Sequence, residues 1–255
     1  MPLDLPPLHD DLTFLSPLSE ERAAELVSFL AAGLSDGGTV LDIGCGWGEL
    51  LLRVAAAAPS CQAIGVDLDE SSLAEGRTRA AARGLDLVTF LAGKGRSVGP
   101  AAVDAVICIG ATQVWGPKVE EAQPLAYANA FDAIRGRVRD GGRVVYGDGI
   151  WSRTPTPQAV ASLAGRDDEF VPIAELVVLA EDAGFSVESA DEATLDEWDA
   201  FEGGYVAGYD SWLAAHSPDD PDADHVRSLA ERQRTAYVDG YRGVLGLGYL
   251  RLIAI

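Results

Sequence analysis

The stretch VLDIGCGWGEL, Val40 to Leu50, joins an apolar run to three glycines spaced by single residues, Gly44, Gly46 and Gly48. The apolar run lies between Gly37-Gly38 and this bend, so it reads as a short buried strand. The residues after it, Trp47 to Ala58, read as a helix closed by Pro59. A strand that ends in Gly-x-Gly-x-Gly and opens a helix does two physical things. The missing β-carbons let backbone approach a ligand, and the first helical turn offers unpaired N–H groups with a partial positive charge.

The residues around the bend narrow the ligand. A dinucleotide-binding turn wants G-x-G-x-x-G, but here the third glycine comes one residue early. Glu49 stands where that pattern wants glycine or alanine, and an anion there suits a pyrophosphate badly. A nicotinamide dehydrogenase is therefore disfavoured. Asp42, two residues before the first glycine, puts a carboxylate at the strand end. That suits a ligand carrying an ammonium or sulfonium. In the next stretch, CQAIGVDLD (61–69), the strand ends at Asp67, where an acid can accept hydrogen bonds from both ribose hydroxyls. Asp67 thus indicates a nucleoside without saying which one.

Outward from these two strands the pattern repeats. LVTFLA (87–92), VDAVICIGA (103–111), GGRVVYGDG (141–149) and SVESAD (186–191) read as strands, and VLGLGYLRLIAI (244–255) as a late buried one. Helical patterns precede or separate them: a Ser19-capped helix from Leu18, then 69–85, 120–140 with Pro124 in its early part, and 173–185. This alternation predicts an α/β, doubly wound, mostly parallel sheet covered on both faces.

Residues 194–242 break the alternation. A capping box, Thr194 with Glu197, opens a helix that presents Trp198, Phe201, Tyr205, Tyr209 and Trp212 on one face. A second helix starts near Pro221 and aligns Val226, Leu229, Gln233, Tyr237 and Tyr241. The expectation is one domain over 1–255 with a two-helix insertion at 194–242, a candidate lid. The segment DLTFLSPL (11–18) is a candidate to close the site from the other side.

Composition bounds the partners. A net charge of −21 repels phosphate backbones and anionic lipid heads, so nucleic acid and membranes are poor partners and a neutral or cationic small molecule is a good one. The start, MPLDLPPLHDD, lacks the basic and apolar regions of a secretory leader, which makes a cytoplasmic protein the expectation. Cys45, Cys61 and Cys108 sit in or beside apolar runs and read as reduced buried thiols; His9, His216 and His225 are too scattered for a metal site. The run DPDADHVRSLAE (220–231) mimics a calcium loop, but His225 occupies its glycine position and Pro221 its second, so a helix start explains it better.

Taken together, VLDIGCGWGELLLRVA, GVDLD, VDAVICIGA and DGGRVVYGDGIW resemble, in order, the motifs of the class I S-adenosylmethionine-dependent methyltransferases. The likeness runs from about residue 18 to 190. It implies a Rossmann-like seven-stranded sheet whose last strand, roughly 243 to 254, is antiparallel. It implies S-adenosyl-L-methionine as cofactor, with Gly44, Cys45 and Gly46 along its methionine part and Asp42 helping to fix its amino group through water or backbone. Asp67 would hold the ribose, Leu68 the adenine, and Ile109 and Gly110 would border the sulfonium. One departure matters. The family often places an acid after the third strand to meet the adenine amino group, whereas this turn reads LAGKG. Lys94 cannot accept a hydrogen bond, so either backbone near Gly93 does so or adenine is recognised differently. Lys94 itself is either a cofactor contact or a solvated lysine.

Methyl transfer from an activated donor needs in-line positioning and desolvation, and needs a base only if the acceptor must lose a proton. No catalytic motif is evident. By position, Gln113 would orient a polar acceptor and Asp148 would act as a base or as a helper for a cationic one. Trp115, Trp151, Glu202 and Tyr205 are the candidates to line the acceptor pocket. The expected function is methyl transfer to a small organic molecule. The alternatives are other chemistry with the same cofactor on the same fold, or cofactor binding without catalysis.

Overall fold

The computed structural model describes residues 12–116, 125–163 and 165–255. Seven strands form one sheet: β1 (Thr39–Ile43), β2 (Gln62–Asp67), β3 (Val88–Ala92), β4 (Val103–Ile109), β5 (Val138–Trp151), β6 (Phe185–Glu192) and β7 (Leu245–Ala254). Their order is β3-β2-β1-β4-β5-β7-β6. β7 runs antiparallel between β5 and β6, and the other neighbours pair in parallel. The expected doubly wound sheet with an antiparallel last strand is therefore present. β1 lies at the centre with β2 on one side and β4 on the other, so the order reverses there. In such sheets ligands bind beyond the carboxyl ends of the strands at this reversal.

The helices are α1 (Glu20–Ala31), α2 (Glu49–Ala57), α3 (Glu70–Ala82), α4 (Tyr127–Arg135), α5 (Pro157–Ser162), α6 (Ile173–Asp182), α7 (Leu195–Ala215) and α8 (Ala223–Thr235). Strand alternation sorts the core into two faces. One contains Val40, Ile107, Val145 and Tyr249 with apolar residues of α1, α2, α3 and the start of α7. The other contains Leu41, Ile43, Val106, Cys108, Val144 and Tyr146 with α4 and α6.

Local chemistry explains most boundaries. Ser19 caps α1 and Asp69 caps α3 through side-chain oxygens. The Thr194–Glu197 capping box opens α7. Three elements differ from the sequence expectation. The strand expected over 141–149 runs from Val138 to Trp151, because β4 pairs along one edge and β7 along the other from Arg143 to Trp151. The helix expected over 120–140 spans Tyr127–Arg135, and its residues 120–124 lie outside the described residues. The short α5 was not anticipated. Thr156 caps it and Pro157 opens its first turn, a start signal that the sequence does carry. Between β6 and β7 stand α7 and α8; after Thr235 the chain continues as a π-helical turn, Ala236–Tyr241.

Candidate active site

The bend after β1 folds as it does because its glycines adopt left-handed backbone, with φ of 72°, 54° and 71° at Gly44, Gly46 and Gly48. Space enforces the same choice. A β-carbon on Gly44 would sit 2.5 Å from Ala111 Cβ, and one on Gly46 would sit 2.5 Å from Leu15 Cδ1. The backbone N–H groups of Gly44 and Cys45 donate to the Val66 carbonyl at 2.8 and 3.2 Å, which ties the bend to the tip of β2. There Asp67 accepts from Gly46 N at 2.8 Å and from Asp69 N at 2.9 Å. Gly48 then opens α2, with Glu49 in its first turn. Glu49 is buried, yet it meets Arg53 at 2.9 Å, Arg83 at 2.8 Å and Arg79 at 3.5 Å. Burial alone would raise its pKa, but the Arg83 and Arg53 guanidinium groups hold it below the ordinary value. Glu49 is therefore held by arginines at the wall of the small cavity that Asp42 also lines.

Two cavities meet at Gly44. A cleft of about 630 Å³ is lined by Asp67, Leu68, Gly93, Lys94, Gly110 and Gln113, among others. Leu68 is 70% exposed there, an apolar platform without a protein partner over most of its surface. On the other side of the bend a small cavity of about 60 Å³ is lined by Asp42, Cys45 and Ile109, roofed by Phe14, Leu15 and Ser16. That roof is fastened. Trp47 Nε1 donates to Thr13 O at 3.0 Å, and Arg53 lies 4.7 Å from the Phe14 ring centroid.

Asp42 is the electrostatic centre of the small cavity. It is 4% exposed and has no hydrogen-bond partner among the described residues. Burial, and after it the Asp67 charge, raises its pKa to about 8. A buried carboxylate without a partner is costly, and a cationic group in the cavity would relieve that cost. Burial likewise raises the Cys45 thiol, so Cys45 packs here as an inert thiol.

The ten cofactor-side residues singled out by sequence thus come together: Asp42, Gly44, Cys45, Gly46, Asp67, Leu68, Gly93, Lys94, Ile109 and Gly110 line the two cavities or bond to residues that do. Lys94 is exposed at the cleft wall beside Arg96. Sequence reasoning missed Arg96, which stands two residues on in the same turn; the roof residues Phe14 to Ser16 lie within the segment 11–18 that it offered as a closing element, without singling out any side chain.

The acceptor-side residues are more dispersed. Gln113 lines the larger cleft and donates to Gly110 O at 3.1 Å. Trp115 is partly buried against the α4 face of the core. Trp151 is buried, donates Nε1–H to Asp167 O at 2.8 Å and packs edge-on against Phe170. Glu202 is buried beneath Gln233 Nε2 at 2.7 Å and Tyr241 Oη at 2.6 Å, and Tyr205 packs edge-on against Phe201. Asp148 is buried within β5; it accepts from Thr112 N at 2.9 Å and from Gly149 N at 2.8 Å. None of Trp115, Trp151, Tyr205 and Asp148 lines a described cavity, and Glu202 borders a separate groove between α7 and α8. A further cleft of about 620 Å³ opens between the roof and α7, lined by Thr13, Phe14, Ser16, Arg22, Glu197 and Phe201 among others.

Known proteins share this arrangement. Residues 40–141 match the family model described as a methyltransferase domain. A SAM-dependent methyltransferase from Geobacter sulfurreducens, solved with S-adenosyl-L-homocysteine, is 27% identical, with 97% of this chain and 96% of that one aligned at a TM-score of 0.81. One from Thiobacillus denitrificans, solved with the same compound, is also 27% identical, covering 99% and 100% at a TM-score of 0.81. YjhP from E. coli is 25% identical over 97% and 99% at a TM-score of 0.78. With the bend, the two carboxylates and the strand order in place, the chain matches a methyltransferase domain over residues 40–141 and is similar over nearly its whole length to SAM-dependent methyltransferases solved with S-adenosyl-L-homocysteine.

Proposed function

We propose that this enzyme transfers a methyl group from S-adenosyl-L-methionine to a small organic molecule, chiefly by positioning and desolvation. The observation that carries the reading is the pair of cavities meeting at Gly44, one with a buried unpartnered carboxylate and the other with a ribose-type acid. When bound, the cofactor supplies a methyl group activated by a sulfonium. The protein's part is to hold and shield it. Asp42 would accept from the ammonium, and Asp67 from the ribose hydroxyls. Leu68 and the Gly93–Lys94 backbone would flank the adenine, with Lys94 and Arg96 at the cleft wall. Phe14 and Leu15 would exclude water from the methionine end.

The small-molecule acceptor is supported by the 620 Å³ cleft between the roof and α7. It shares Phe14, Ser16 and Leu18 with the cavity that holds Asp42. Its volume is that of a small-molecule pocket. α7 and the segment 12–18 would then set acceptor choice as lids from two sides. Gln113, exposed at the cleft, would orient a polar group.

Calorimetric titration with S-adenosylmethionine, S-adenosylhomocysteine and NAD tests the first half. Binding of both sulfur nucleosides and not of NAD is expected, and binding of NAD alone would discard the reading. Release of S-adenosylhomocysteine across an acceptor panel tests the second half. Tight binding with no turnover on any acceptor would favour a non-catalytic binding protein.

A further inference from the structure

The mechanism above makes no use of a buried polar trio beneath the turn that follows β4. We infer that Asp148, with Tyr146, is a positioning residue: the two hold Thr112 and thereby fix the Gly110–Gln113 wall of the cofactor cleft. The inference rests on the reading of that cleft as the S-adenosylmethionine site.

The geometry is specific. In β5, Tyr146 and Asp148 point to the same face of the sheet, the α4 face, opposite to Asp42. Asp148 Oδ2 accepts from Thr112 N at 2.9 Å, and its Oδ1 is engaged by Gly149 N at 2.8 Å. The hydroxyl of Thr112 is hydrogen-bonded to the Tyr146 hydroxyl. Thr112 is fully buried, so its N–H has no water to turn to. Around it, Gly110 N donates to Gly147 O at 2.8 Å, and Tyr127 Oη donates to Gly149 O at 2.6 Å. The turn itself is thus tied to β5 at three successive residues, Tyr146, Gly147 and Asp148. It begins at Gly110 and Ala111, which line the cleft, and Ala111 is the residue that abuts Gly44. A shift of Thr112 would therefore move Ala111 against the bend.

The same contacts argue against Asp148 as a general base. Each of its oxygens is occupied by a backbone donor, and a base must reach the proton it takes.

Asp148→Asn separates the roles. An asparagine keeps one acceptor but turns an N–H₂ towards a backbone N–H, donor against donor. The expected result is amide hydrogen exchange at Thr112 about tenfold faster and S-adenosylhomocysteine binding about tenfold weaker by calorimetry. The turnover number at saturating cofactor would stay within about threefold, with its pH profile unchanged. Tyr146→Phe, which removes only the hydroxyl, would move exchange and affinity the same way by about threefold. A loss of turnover near a hundredfold in D148N with cofactor affinity intact would overturn the inference and make Asp148 a base. Unchanged exchange and affinity in D148N would also overturn it; should D148N not fold, the same null result in Y146F would do so. Wild-type protein that bound no cofactor would overturn the reading of the cleft, whereas wild-type binding indifferent to both variants would overturn only the present inference.

Discussion

Two regions of this molecule treat buried carboxylates in opposite ways. At the tips of β1 and β2, Asp42 is buried without a hydrogen-bond partner, and Asp67 spends its bonds on backbone at the rim of an open cleft. In the segment between β6 and β7 the buried carboxylates, Glu197 and Glu202, are saturated. Glu197 accepts from both Ser19 groups, from Thr194 N and from Arg22 through two bonds of 2.9 Å. Glu202 is closed off by Gln233 and Tyr241, and Asp199 by Tyr237 and Arg242. The difference teaches how to tell ligand chemistry from scaffold chemistry. An acid with all its partners inside the protein holds elements together. One left short of partners beside a cavity is waiting for a cation or a hydroxyl.

Breaking the first region should abolish binding. Gly44→Val forces a side chain into left-handed backbone and against Ala111. S-adenosylmethionine affinity should fall by about a hundredfold or more in calorimetry. Wild-type affinity would undo the contrast.

Breaking the second region should cost stability instead. Burial alone would raise the pKa of Glu197, but Arg22 and the N–H donors bring it down to about 2. Glu197→Gln leaves Arg22 half-buried without its ion partner and should lower unfolding free energy by about 2–3 kcal/mol in urea titration. Cofactor affinity should not change. The pH sign follows from the lowered pKa. This stability is present above the unfolded glutamate range near 4.5 and is lost as pH falls towards 2.

Asp42 has the opposite sign. Its folded pKa is raised from 3.8 to about 8, so the native state favours the proton and loses stability as pH rises through that window. A bound ammonium holds the carboxylate ionised. Affinity for S-adenosylmethionine should therefore climb with pH between about 4 and 8, by at most about tenfold per unit. In Asp42→Asn that slope should vanish, as titrations at three pH values would show; an unchanged slope would mean another group titrates.

The smallest effect is expected at Glu202. Glu202→Gln keeps most of the contacts to Gln233 and Tyr241, so a loss of about 1 kcal/mol is expected, with cofactor affinity as in the wild type. A large loss of turnover with little loss of stability would instead put Glu202 among the acceptor-binding groups.

The two regions also differ in how far sequence reveals them. The cofactor side is written locally. The bend, its carboxylate two residues upstream and the acid ending the next strand all lie within Asp42–Asp67, and glycine there has a single steric explanation. The acceptor side is written in long-range partners. Nothing near Glu202 says that Gln233 and Tyr241, 31 and 39 residues away, would close over it. Nor does anything near Glu197 point to Arg22, 175 residues earlier. Trp151 read as a pocket wall because it follows β5, but the strand extends through it under pairing from β7. Some of this was recoverable. Tyr146 and Asp148 share strand parity and so one face of the sheet, but that this face is opposite to Asp42 follows only from the register of β1, β4 and β5.

The central claim is that the Gly44 bend and its two carboxylates hold the sulfur nucleoside. A crystal structure with S-adenosylhomocysteine tests it most directly. The account predicts the amino group within hydrogen-bond distance of Asp42 and the ribose hydroxyls on Asp67. The compound bound elsewhere, or bound in the cleft with its amino group turned away from Asp42, would contradict it.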